Sequence, residues 1–114
     1  MRRYQGTTDT DKNGGRVVVV TKNGFPKILD PKPSQKLWNH SPNGFNWGYA
    51  GSGPAQLALA ILLDVTGDKA LSSRLHQAFK SEIVSTWPAG QVWVYTEDQV
   101  KAWLDVHKEE RCQK

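Results

Sequence analysis

The spacing of hydrophobic positions changes period along the chain. In RVVVVTKNGFPKILDP the apolar residues form two short blocks, Val17–Val20 and Phe25–Leu29, on either side of Asn23-Gly24. β-Branched runs this short read as strands. Asn-Gly supplies the positive φ angles that a tight hairpin turn requires. Pro26 cannot donate to a ladder, which places it at a sheet edge or outside the pairing. MRRYQGT adds a strand beside the hairpin, with TDTDKNGG as a polar connection. The period then becomes helical. Pro54 opens a helix that runs to about Val65 and stops at Gly67. Leu57, Leu59, Ile61, Leu62 and Leu63 point in nearly every direction around its axis, so this helix is buried and forms the centre of the core.

A second helix is predicted from Asp68 to about Thr86. Leu71, Leu75, Ala78, Phe79 and Ile83 give it one apolar face. Gln91–Tyr95 alternates as a strand. Thr96 and Gln99 have the spacing of a capping box, and the helix they open buries Val100, Trp103 and Leu104. The predicted fold is therefore α+β. An N-terminal antiparallel hairpin sheet, joined by strand 91–95, packs against three helices at about 54–65, 68–86 and 96–108. Residues 1–114 form one domain, with 109–114 a frayed tail.

Residues 30–53 read as irregular. Pro31, Pro33 and Pro42 punctuate them, and Ser41-Pro42-Asn43-Gly44 signals a turn. Trp38, Phe45, Trp47 and Tyr49 are threaded through the same stretch, whereas a disordered linker is poor in aromatics. An ordered loop pinned to the core by its rings is expected. Tryptophan fills cores and also anchors interfaces. Trp87, Trp93 and Trp103 are assigned to the core. Trp38 and Trp47 stand as candidate binding residues, with a core role as the alternative.

Composition narrows the class. The 114 residues are 38% hydrophobic and 23% charged, which suits a folded soluble domain. The longest apolar run, Leu57–Leu63, has seven residues, against about 20 needed to cross a bilayer. No apolar stretch follows Arg2 and Arg3, so no secretory signal is expected. Cys112 is the single cysteine, so an intramolecular disulfide is ruled out and a cytoplasmic setting is expected.

The net charge of +4 is unevenly placed. Residues 1–50 hold eight Lys/Arg against three acids, and residues 51–114 hold seven against eight. Arg2, Arg3, Arg16, Lys22, Lys27 and Lys36 are candidate contacts to a protein or a nucleic acid. The plain alternative is a solvated surface, since no run of five or more like charges exists. A nucleic-acid reader on the sheet would expose Tyr4, Phe25 or Trp93. One of helix-turn-helix type would use Arg74, Gln77 and Lys80.

The stretch FNWGYAGSGPAQLALAILLD is the most distinctive. Gly48, Gly51, Ser52 and Gly53 precede a helix N-terminus and are candidates for holding an anion or a nucleotide. Gly48 and Gly53 have the glycine spacing of GxxxxGK[ST], but Pro54 and Ala55 stand where Lys and Ser/Thr belong. The patterns GxGxxG and GxSxG also fail. A tight backbone crossing is the simpler account. His40, His76 and His107 lie far apart in sequence and lack metal-ligand spacing, so no metal or cofactor is expected. Ser52, Asp64 and a histidine are catalytic by type only, and no catalytic residue is assigned.

FNWGYAGSGPAQLALAILLD, the opening RRYQG, the His40–Phe45 turn, HQAFKSEIV and the final tryptophan helix together resemble a small family of unknown function. That family occurs in bacteria, archaea and their phages. The resemblance covers most of the chain and implies no activity or cofactor. It implies an accessory role, as in phage proteins that bind host proteins, defence complexes among them. The expected function is a small non-enzymatic protein-binding module of phage or mobile-element origin that inhibits a host complex, in the manner of an anti-CRISPR. A nucleic-acid-binding accessory domain is the alternative. An anion or nucleotide binder using Gly48–Gly53 is a further one. The expected partner is a host or phage protein, with nucleic acid possible and no membrane.

Overall fold

Alternation along the first two strands sets the sheet. Tyr4 and Gly6 on one strand, and Val18 and Val20 on the next, are buried, while their neighbours stay partly or fully exposed. A computed structural model describes the backbone of residues 1–112 and the side chains of residues 1–107. Its strands are β1 (Arg2–Thr10), β2 (Arg16–Lys22), β3 (Phe25–Ile28) and β4 (Trp93–Thr96). They form one antiparallel sheet in the order β3-β2-β1-β4. The predicted third strand and the predicted joining of the late strand are both present. The hairpin turn has φ of 53° at Asn23 and 85° at Gly24, as a two-residue loop demands.

Four helices accompany the sheet: α1 (Lys32–Leu37), α2 (Ser52–Thr66), α3 (Lys69–Glu82) and α4 (Glu97–Cys112). The fold is α+β, with its core between the helices and the face carrying Tyr4, Val18, Val20 and Trp93. Every residue of α2 from Gly53 to Leu62 is buried, as its all-round apolar sequence requires. Asp68 caps α3 by accepting from the Leu71 N–H. Thr96 and Gln99 exchange the reciprocal bonds of a capping box.

Several boundaries differ from the sequence reading, the late strand first: it spans Trp93–Thr96 rather than 91–95, because the turn after Pro88, with Gly90 at positive φ, extends into its expected start. α1 lies in the stretch read as irregular. Its prolines, Pro31 at the cap and Pro33 in the first turn, open a helix rather than break one. α2 begins at Ser52, two residues before Pro54, because a proline anywhere in the first turn costs no intrahelical bond. α3 ends at Glu82 and gives way to a 3-10 turn at Val84–Thr86. There the Val84 carbonyl accepts from Gly48, and Trp87 is extended ahead of Pro88. α4 continues past 108 to Cys112, and residues 113 and 114 of the expected tail lie outside the described residues.

The rings form a second centre of packing. Trp87 stacks on Trp93 at 3.8 Å, and Trp47 meets Trp93 edge-on at 5.5 Å. Trp93 in turn lies flat over Gly6, where a side chain at position 6 would collide with its indole.

Candidate functional site

The outer strand of the hairpin is open to solvent. All four residues of β3 are exposed, and Phe25 and Ile28 keep 79% and 63% of their surface open. Beside Phe25 lies a groove of about 820 Å³, lined by Lys22, Phe25, Lys27, Leu29, Asp30 and Asp64 among others. Register explains which side chains meet there. Lys22 pairs with Phe25 and Val20 with Lys27, so alternation puts all four on the face that also carries Tyr4. Leu29 donates its N–H to Val18. Phe25, Lys27 and Leu29 therefore turn their backbone groups toward β2, and Pro26 and Ile28 turn theirs outward. Pro26 removes one of the two outward donors, as an edge proline should.

The groove is partly neutralised from within. Arg2 lies 3.3 Å from Asp64 and 3.6 Å from Glu97, and its backbone N–H donates to Glu97 at 2.8 Å. Tyr4 donates its hydroxyl to Asp64 at 2.6 Å, and burial with that bond pushes the phenol well above its ordinary range. Lys101, 2.8 Å away, and the Arg2 N–H hold the Glu97 carboxyl down at about 2. Arg2 thus ties β1 to α2 and α4, a structural task.

The other predicted basic residues do not join this groove. Arg3 points to the opposite face of the sheet from Arg2 by strand alternation. Arg16 stands at the far end of β2, roughly 20 Å from Lys22 at about 3.4 Å per residue, where its N–H bonds Phe45. Lys36 is exposed on α1. The basic N-terminal half therefore does not form a single patch. Of the rings considered for nucleic acid, Tyr4 and Trp93 are buried and only Phe25 is open.

Trp47 is corrected from candidate binding residue to core. It is completely buried, and its Nε1 donates to the Pro88 and Gln91 carbonyls. Trp38 remains half exposed. The glycine loop has a packing reason at each position. Gly48 holds φ of 85° against Ala89, where a Cβ would lie 2.6 Å from the Ala89 Cα. Gly51 lies under the Tyr49 ring, and Gly53 is pressed on Asn46. Ser52 is exposed at the start of α2.

A second cluster was not visible in the sequence. His40 and His76, 36 residues apart, place their Nε2 atoms 2.8 Å from one another. The Ser73 carbonyl, 2.7 Å from His76 Nδ1, can only accept, so Nδ1 carries the proton and His76 Nε2 accepts from His40. Trp38 stacks on His40 at 4.7 Å and meets His76 edge-on at 5.2 Å. Burial lowers the affinity of both rings for a further proton, and Lys80 adds to this. Gln56, buried at the start of α2, holds the loop in place. It accepts from the His40 and Ser41 N–H groups and donates to Ser34 Oγ and the Trp38 carbonyl. The available signal was position: His76 shares the buried face of α3 with Ser72, Leu75 and Phe79. Among the described residues no three metal-ligating side chains come together, and no helix is long and apolar enough to cross a membrane.

These features define an α+β domain with a sheet covered on one face and an open, mixed apolar and cationic hairpin groove. Residues 4–106 match the model of a family of unknown function (DUF6166), and the chain belongs to that family. Neither the curated proteins nor the solved structures yield a match.

Proposed function

We propose that this chain is a small non-enzymatic protein-binding module that works through its hairpin arm. The observation that carries the reading is Phe25, a large ring left 79% exposed at the rim of a groove that Val20 and Leu29 also line. A cluster of apolar side chains rimmed by charge is the usual composition of a protein contact. The scattering of Arg3, Arg16 and Lys36 weighs against a nucleic-acid track, which needs cations gathered along one path. We extend the reading to a phage or mobile-element accessory factor acting on a host defence complex. That extension is supported by the sequence resemblance and not by the groove.

The test is photo-crosslinking in cells of the native source. A photoreactive phenylalanine analogue at position 25 is expected to give a discrete protein adduct that the Lys27→Glu variant loses. The same analogue at the exposed Arg74 of α3 is expected to give none. Identical adducts from both positions, or none from position 25, contradict the reading.

A further inference from the structure

We propose that the occupant of the hairpin groove is an acidic protein segment in extended conformation that offers one bulky apolar side chain; this rests on the protein-binding reading above. Charge accounting inside the groove points to it. Asp64 is engaged by Tyr4 and Arg2, and Arg2 by Asp64 and Glu97. One Asp30 oxygen accepts from the Lys32 N–H. Among the described residues the ion pairs are Arg2–Asp64, Arg2–Glu97, Lys101–Glu97 and His107–Glu82, and none includes Lys22 or Lys27. The groove therefore presents two cations, Lys22 and Lys27, and one carboxylate, Asp30, outside any ion pair, which leaves a positive excess.

Their spacing matches an extended peptide. Lys27 pairs with Val20, two residues from Lys22, so the two lysines are diagonal neighbours about 7–8 Å apart at their backbones. Alternate side chains of an extended segment repeat at about 6.6–6.8 Å on one side. Two carboxylates at alternate positions thus meet the two lysines, and an apolar neighbour meets Phe25. Pro26 lacks the outward N–H that strand addition would use first, so side chains rather than ladder bonds carry the contact. A continuous polyanion fits less well, because Lys22 and Lys27 are only two adjoining cations, whereas a phosphate backbone needs a row of them.

The experiment is an NMR titration of the full chain with three probes. They are a nonapeptide with Glu at alternate positions and one Phe, its Glu→Gln isostere, and a nine-nucleotide oligothymidylate. The acidic peptide is expected to shift amides between residues 20 and 30. Its affinity should fall at least tenfold in a Lys22→Gln/Lys27→Gln variant, and for the Gln isostere. A Phe25→Ser variant should weaken it as well. Equal binding of the isostere, tighter binding of the oligothymidylate, or no shift in the hairpin overturns the inference. If the position-25 crosslink to a protein persists in those cases, the module reading stands and only the occupant is wrong. If that crosslink is also absent, both fail. The substituted residues are exposed, and an unchanged spectrum outside the hairpin confirms the fold of each variant.

Discussion

His76 donates to Ser73, accepts from His40 and has Trp38 at its edge, so a single buried imidazole couples α3 to the loop before α2. Both imidazoles are harder to protonate in the folded chain than in the unfolded one, chiefly through burial. Below the ordinary histidine value of 6.5 the unfolded chain binds more protons, so stability is present above that pH and is lost as pH falls through it. Urea midpoints measured at pH 7.5 and 5.5 should drop on acidification, and a His76→Gln variant should show a smaller drop. An equal drop in the variant contradicts the assignment. The Glu97 carboxyl, held at about 2, acts in a separate and lower window, losing its contribution as pH falls from about 4.5. Gln56 gives a sharper case. Gln56→Ala strands two partly buried N–H donors and should cost about 2 kcal/mol, read by urea denaturation. A loss under 1 kcal/mol would mean that the loop is held elsewhere. Neither residue was legible as a site. Gln56 is one polar position in an apolar helix, and the His40–His76 contact exists only once α3 packs on α2.

At the scale of elements, local chemistry was the most readable. The hairpin followed from β-branched runs around Asn23-Gly24, and α2 from an apolar pattern with no polar face. α1 is not legible, because six residues carry too little periodicity and its prolines resemble turn signals. Lys22 and Lys27 are legible as charges, and their convergence follows from the register that the two-residue turn imposes. The edge has its own consequence. Pro26→Val restores an outward N–H on β3 and should promote edge-to-edge pairing. Sedimentation velocity is expected to show increased self-association for this variant over wild type, and an unchanged profile contradicts the role given to Pro26.

For the whole molecule, the balance of charge changed most between sequence and structure. An excess of five positive charges in residues 1–50 suggested one basic face. Folding spreads these residues instead: Arg2 is spent on Asp64 and Glu97, Arg3 faces away, and Arg16 sits at the far end of its strand. What remains together is two lysines beside an exposed ring. Hydroxyl-radical footprinting in extract from the native source tests that arrangement most directly, because Phe25, Trp38 and Tyr49 are all open rings on the same chain. The account predicts that a bound partner protects Phe25 while Tyr49 keeps its reactivity. Undiminished labelling of Phe25, with protection at Tyr49 or Trp38 instead, would contradict it.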